Sequence, residues 1–441
     1  MDRRRKTRLL ELGKDVLILC LTLSAVWLAI RSQILGPISG LFQEESSYHE
    51  TIQTQGVDRA DAARPLRLVA VLPGEGEVVR HGVQYDAQGA DALFQKVAAL
   101  LVEALSSASQ PEQITRFQWE RALSTAPGVS LDFQGTIPMS VLAGWLAGEE
   151  TSLTACVRRL TLTVWQEQVA LYYRDEESGL YYRCQSQVAN KLHLDQALAD
   201  LTGNGVLYAF ETETYENLDP DTLVVNELPQ PAVYNVTNPC SGGRTALEEL
   251  MGDLELSVDA SSFYSAGGDQ VARTGSDTLR LSEGGRLIYE AGDGASSFAV
   301  PARRQGPTLF ESVEACRQLA AATVTPRCGE ARLYLASARE TDEGLQVCFG
   351  YSLNGYTVQL EGGWAASFLV KDGFISHFEL NLRSYADSGR TSAVMPMLQA
   401  AAAMEAAGLE GEELLLIYAD GGGDTASATW AAAQSPLTGK E

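Results

Sequence analysis

Apolar residues fill positions 16–30 without a single charge, and no later stretch of the 441-residue chain is comparably hydrophobic. Arg3, Arg4, Arg5, Lys6, Arg8 and Lys14 stand before this run and Arg31 closes it. Flanking positive charge resists translocation, so the pattern predicts one transmembrane helix, a cytoplasmic N-terminus and an extracytoplasmic remainder. The run is longer than many signal-peptide cores and shorter than the ~20 residues of a typical span. No small-x-small site is well placed in Arg31-Ser32-Gln33-Ile34-Leu35, so an uncleaved anchor is expected ahead of a cleaved signal peptide. Lys14 can snorkel to the headgroups and Trp27 can sit near the outer interface, lengthening the effective span. Ile34, Ile38, Leu41 and Phe42 continue a helical spacing that Gly36-Pro37 should bend.

Beyond a polar stretch at 43–64 the period changes. A β-like run at 66–72 ends at Pro73-Gly74, and Ala92, Leu93, Val97, Leu100, Leu101 and Leu105 predict a helix over 89–105. A shorter helix is expected over 113–123 with Phe117 and Trp119, then a strand at 129–133 and a helix opened by Pro138 through Val141, Leu142 and Trp145. Strands at 160–165, 168–174 and 180–184 form a meander, followed by a helix at 192–201 and a strand at 206–210. Pro220, Pro229, Pro231 and Pro239 break regular structure, placing a boundary at 230–243. A helix over 244–254 precedes a hairpin of 277–281 with 286–290 across Glu283-Gly284-Gly285. A second boundary at 301–307 precedes a helix over 310–322. Strands follow at 331–338, 345–351, 356–360, 365–370 and 374–382, with hairpin turns at Asn354-Gly355 and Asp372-Gly373. A helix at 397–407 ends at Gly408, and 413–419 pairs with 425–432 across a glycine turn.

The expected fold class is therefore α+β: a single N-terminal transmembrane helix, then extracytoplasmic domains of helices packed on antiparallel meanders. Its parts are a basic cap and anchor (1–42), a linker (43–64), an N-terminal domain (65–235), a middle helix-plus-hairpin domain (236–303), a C-terminal domain (304–435) and a tail (436–441). Residues 279–290 echo 368–379, each placing alternating apolar positions before a glycine turn and then a strand ending in an aromatic residue and Glu. A duplicated helix-plus-meander unit and convergent hairpin chemistry both account for this.

Hydrophobic residues make up 45% and charged residues 20%, the balance of a globular chain and not of a disordered stalk. The net charge of −24 lies almost wholly outside the basic cap; such a surface repels nucleic acid, which is excluded as a partner. Cys20 lies in the apolar run. The other six cysteines, Cys156, Cys184, Cys240, Cys316, Cys328 and Cys348, have wide irregular spacings and no CxxC. Free buried thiols are expected, with Cys316 and Cys328 the pair to watch if a disulfide exists.

Catalytic motifs are missing. His49, His81, His193 and His377 fall in a linker, a loop, a helix start and a strand, with no HExxH and no helical ligand spacing. There is no G-x-S-x-G, S-x-x-K or P-loop, and residues 420–424 lack the alternating oxygen ligands of a calcium loop. No cofactor and no metal site are expected. A pair of glycosidase-type acids hidden among 57 Asp and Glu residues stays open, since such a pair is defined only in space.

Taken in order, these parts resemble the YycH/YycI family of membrane-anchored accessory regulators of WalK-type sensor histidine kinases. The resemblance rests on the anchor and on Phe117-Gln118-Trp119-Glu120, residues 129–133 and Ile137-Pro138. Residues 277–289, 349–358, 375–385 and 415–430 complete it. It implies a non-enzymatic regulator of a kinase controlling cell-wall metabolism, with that kinase and a sister regulator of the YycI type as partners, and it carries over no catalytic residue. The candidate contact surface is then the anchor itself, where Thr22, Ser24, Ala25 and Ala29 permit close helix packing in lipid, or serve only as lipid-compatible filler. The alanine- and glycine-rich C-terminal region and the six outer cysteines depart from the family pattern. The alternatives are an extracytoplasmic ligand-binding or envelope-processing protein, such as a carboxylate-dependent hydrolase, and a structural scaffold for envelope assembly.

Overall fold

The computed structural model describes residues 59–433 except 75–76, 149–150, 225–226, 228, 293–295 and 303–305. The anchor run and Thr22, Ser24, Ala25 and Ala29 lie outside the described residues, as does His49. No helix among the described residues is long and apolar enough to cross a membrane. The described residues all belong to one compact unit.

Arg59–Ala62 (α1), at the end of the stretch read as linker, forms a single helical turn. Arg67–Leu72 (β1) and Val79–Val83 (β2) follow, so His81 sits in a strand and not in the expected loop. Ala87–Ser106 (α2) is capped by Asp86, whose carboxylate accepts from the Gly89 N–H at 3.0 Å. Its buried stripe, Leu93, Phe94, Val97, Leu100, Leu101 and Leu105, has the helical spacing that the sequence predicts. Where one helix was expected over 113–123, Glu112–Ile114 (β3) pairs as a strand and Arg116–Leu123 (α3) starts at a Thr115/Gln118 capping box. Gly128–Pro138 (β4) runs into Met139–Ala147 (α4) at Pro138. Cys156–Trp165 (β5), Gln168–Arg174 (β6) and Tyr181–Asn190 (β7) make the expected meander, and Lys191–Leu198 (α5) ends it.

These strands form an antiparallel sheet in the order β2-β1-β4-β5-β6-β7-β3. All six residues of β1 are buried because both faces are covered: Leu68, Ala70 and Leu72 join the main core, whereas Val69 packs with Trp119 and Leu123 of α3.

The expected strand at 206–210 shrinks to Leu207–Tyr208 (β8), which pairs only with Leu223–Val224 (β9); Ala209–Glu211 turns as a 3-10 helix. Ala232–Thr237 (β10) is a strand inside the proline-rich passage. Arg244–Asp253 (α6) leads to Ser261–Ala266 (β11), Asp269–Thr274 (β12), Asp277–Leu281 (β13) and Arg286–Glu290 (β14). Leu309–Thr323 (α7), with a Thr308/Glu311 capping box, leads to Arg332–Thr341 (β15), Gly344–Leu353 (β16), Tyr356–Leu360 (β17), Ala366–Lys371 (β18) and Phe374–Asn381 (β19). Ser384–Thr391 (β20), Met397–Ala406 (α8), Glu413–Asp420 (β21) and Thr425–Ala433 (β22) complete the chain.

Two of these groups repeat one plan. An eight-stranded antiparallel sheet runs β11-β12-β13-β14-β19-β18-β16-β15, so two helix-plus-meander units meet at their last strands. The positions aligned by the sequence echo, Tyr289 and Phe378, are direct partners across β14 and β19 and stack at 4.9 Å. Equivalent residues opposite one another in an antiparallel pair define a local two-fold axis between the units. The arrangement favours duplication over convergence.

At the far end of β16, β17 pairs with β21 in parallel; β21 pairs with β22, β22 with β10, and β10 with β20. The N-terminal sheet joins the eight-stranded sheet where β4 meets β15 in parallel at Thr136 and Ser337. The backbones come so close there that a Cβ on Gly135 would stand 1.9 Å from the Leu335 carbonyl oxygen, which explains glycine at that position. One buried apolar cluster extends from Ala63 to Ala428. The architecture is α+β, helices on antiparallel sheets.

Candidate functional site

Two buried ionic hubs connect the N-terminal sheet and its helices to the C-terminal half, and a cleft opens beside the first. The first hub is Glu314 on α7, 6% exposed. Its carboxylate accepts from Trp145 Nε1 of α4 at 3.0 Å, Gln318 Nε2 at 3.0 Å, Arg317 Nε at 2.7 Å and Arg59 Nε of α1 at 3.1 Å. Burial alone would raise its pKa, but Arg317, Trp145 and Gln318 together hold it below the ordinary carboxylate value. The first described helical turn, α1, is thereby clamped to α7.

The second hub is larger. Arg67 on β1, Asp132 on β4 and Glu413 on β21 are buried, with Arg158 and Arg159 of β5 beside them. Glu413 accepts from Arg67 at 2.5 Å, Arg158 at 2.7 Å and Arg159 at 2.6 Å. Asp132 accepts from the same three arginines. Burial pushes both carboxylates up and the arginines pull them further down, Glu413 to about 2 and Asp132 well below its usual value. Arg159 also reaches Asp221 at 3.4 Å, which accepts from Trp119 Nε1 at 3.1 Å.

Beside the first hub, with Arg317 in its wall, lies a cleft of about 320 Å³. Ala87 and Ala90 of α2 and Ala320 and Ala321 of α7 leave the space, and Leu66 and Phe349 extend its apolar walls. Tyr334 lines it too, its hydroxyl pushed by burial to about 12 and so neutral at ordinary pH. At the rim the charges neutralise one another: Asp91 binds Arg64 and Arg332, each at 2.7 Å, and Arg64 binds Asp61. Ser352, the serine of the lining, donates to the Arg332 carbonyl at 3.3 Å. The cleft has the size and lining to admit a small apolar group.

His81, His193 and His377 stand on different elements: His81 Nδ1 bonds the Thr202 carbonyl, His193 starts α5, and half-buried His377 pairs across strands with Glu290 and Leu369. No group of His, Cys, Asp and Glu among the described residues is placed to hold a metal. Asp420, read as part of a plain glycine turn, is buried and accepts from Arg383 Nε at 2.9 Å, Tyr385 Oη at 2.8 Å and the Gly422 N–H at 3.0 Å. It locks the turn between β21 and β22.

The six outer cysteines are free and buried, Cys316 and Cys328 included. Burial pushes all six thiols up, Cys184, Cys328 and Cys348 to about 11 and Cys156 to about 12. At pH 8 a thiol with pKa 11 is thiolate in only about one molecule per thousand. Alkylation of the native protein at that pH should leave these six unmodified by mass spectrometry and denaturation should expose all of them. Native labelling at the rate of a free thiol would contradict the burial.

Sequence reasoning missed both hubs. Arg67 and Asp132 did carry a signal, a lone charge inside a run that otherwise reads as doubly buried strand, where a charge persists only if paired. Glu413 and Glu314 carried none, because their partners are remote in sequence.

No family model matches the chain and no curated protein does. Among solved structures, the fold is similar to the crystal structure of YycH from Bacillus subtilis, with a TM-score of 0.52. The match covers 85% of this chain and 94% of that one, at 10% identity. Likeness at that identity is likeness of fold: the chain adopts a YycH-like fold.

Proposed function

We propose that this chain is a membrane-anchored, non-enzymatic regulator of a sensor histidine kinase of the WalK type, acting with a sister regulator from outside the cytoplasm. The observation that carries the proposal is the YycH-like fold over 94% of the matched structure, preceded here by a basic cap and one apolar run. The anchor, with Thr22, Ser24, Ala25 and Ala29 on its packing surface, is the proposed contact element. It changes kinase output by binding one signalling state better than the other. The buried acids Asp132, Glu314, Glu413 and Asp420 are each engaged by arginines, which supports a structural and not a hydrolytic role for them. The division into units 65–235, 236–303 and 304–435 belongs to the same proposal, and the repeated units 244–290 and 309–381 fall within the last two.

The test is purification of the tagged full chain from membranes of its source organism under mild crosslinking. A sensor histidine kinase should be among the recovered partners, well above an anchor-only control if the outer domains contribute. Recovery of no kinase contradicts the proposal. A second reading, binding of a small apolar ligand, is favoured by the 320 Å³ cleft.

A further inference from the structure

The local two-fold between the repeated units makes β11 the counterpart of β15. The outer edge of β15 is covered by β4, whereas β11 pairs with β12 alone among the described residues. This open strand reads Ser261-Ser262-Phe263-Tyr264-Ser265-Ala266, with no charge and no proline, in a chain of net charge −24. Natural edge strands are usually blunted by charge, proline or a bulge; this one has none of these and keeps a regular register with β12 throughout.

The backbone groups it presents can be identified. Gly267 and Gly268, both at positive φ, form a two-residue turn, so Ala266 and Asp269 flank it as a hydrogen-bonded pair. Alternation then makes Tyr264 and Ser262 hydrogen-bonded to β12 and turns the N–H and C=O of Phe263 and Ser265 outward. Side chains agree: Gln270 Nε2 donates to Ser265 Oγ at 3.0 Å, and the Ser261 and Thr274 hydroxyls meet at 2.6 Å, as at the closer, non-hydrogen-bonded positions. The Ser261 N–H is already used, donating to the Val258 carbonyl at 3.1 Å.

We infer that β11 pairs antiparallel with β11 of a second copy of this chain, with Tyr264 opposite the partner's Tyr264. That register sets Phe263 opposite the partner's Ser265 and satisfies every outward N–H and C=O of those two residues in both strands. It also faces two tyrosines, each 48% exposed in the single chain, across a non-hydrogen-bonded pair, where aromatic side chains interact well. The register centred on Phe263 would require the Ser261 N–H that Val258 occupies. No residue of the strand carries a charge, so two copies of it bring no like charges of their own together, and Arg244, stacked over the Phe263 ring at 4.4 Å, is itself paired with Glu248.

A six-residue ladder is small beside a stable soluble interface, so the test uses the full chain in membranes. Paired Cα atoms at a non-hydrogen-bonded position lie about 4.5 Å apart, within disulfide range, whereas the two copies of Ser262 would be offset by roughly 13 Å along the strands. Mild oxidation of Tyr264→Cys should give disulfide-linked homodimer at least about 10-fold above Ser262→Cys and above the unsubstituted chain. Adding Ser265→Pro, which removes an outward N–H and leaves pairing with β12 intact, should return the yield to background. Equal yields from the two cysteine variants, no homodimer from a folded Tyr264→Cys chain, or crosslinking only to a different protein would each overturn the inference. Should Tyr264→Cys fail to fold, Phe263→Cys and Ser265→Cys chains produced together in the same membranes decide: a disulfide between the two supports the pairing, and its absence from folded chains overturns it.

Discussion

Glu413→Ala should destabilise the fold by about 3–5 kcal/mol, the usual consequence of removing one partner from a buried ion pair. Glu413 is 4% exposed and accepts from Arg67, Arg158 and Arg159. Its loss leaves Arg67, Arg158 and Arg159 sharing the Asp132 carboxylate, with Asp221 reached by Arg159, in a site with little access to water. Thermal unfolding should shift down by roughly 5 °C, while Glu405→Ala on the exposed face of α8 should stay within about 0.5 kcal/mol of the unsubstituted protein. Equal stability of the two variants would show that the hub contributes nothing.

The same hub sets a pH dependence. The folded state holds Glu413 at about 2 against an ordinary 4.5, and Asp132 well below its ordinary value. A carboxylate depressed in the folded state contributes stability that is complete above its unfolded pKa and disappears as pH falls through its folded one. Stability from this source should be constant above about pH 5.5 and lost between there and about pH 2, on the order of 3 kcal/mol for Glu413. Urea unfolding across that window should show a shallower acid limb in Glu413→Ala than in the unsubstituted chain. Parallel limbs would place the acid sensitivity elsewhere.

What the sequence revealed and what it hid divide along physical lines. The α2 stripe, the helix opened at Pro138 and the turns at Asn354-Gly355 and Asp372-Gly373 were readable because their signals are local. In both turns the two central residues take positive φ, the conformation that an Asn-Gly or Asp-Gly pair favours. Strands β10, β11, β12 and β20 were not readable. β10 lies between Pro231 and Pro239, and β11 and β20 are polar strands with no continuous buried face to enforce alternation. The N-terminal half of the expected 113–123 helix became β3 because pairing with β7 overrides a weak helical period. The hubs stayed hidden since Arg67 and Glu413 are 346 residues apart and only the folded sheets bring them together. The echo of 279–290 in 368–379 was visible, but its meaning depended on seeing Tyr289 and Phe378 meet across the local axis.

The second large expected effect concerns the anchor. The described residues adopt a YycH-like fold, and Glu314 ties α1, the first described element, to α7 and α4. In the proposed function the apolar run at 16–30 is the element that meets the kinase. If regulation runs through that helix, its sequence matters and not merely its presence. Thr22, Ser24, Ala25 and Ala29 are the residues proposed for that contact, small side chains being what close helix packing in lipid requires. A coupling of typical size would change kinase activity about 5- to 150-fold.

The most direct measurement is autophosphorylation of the partner sensor kinase in membranes containing either the unsubstituted chain or a chain whose residues 16–30 are replaced by an unrelated apolar helix of equal length, with matched amounts inserted. The account predicts that the exchange returns kinase activity to its level without the regulator, although the outer body is folded and correctly placed. Unchanged regulation after the exchange would contradict it and move the contact to the outer domains.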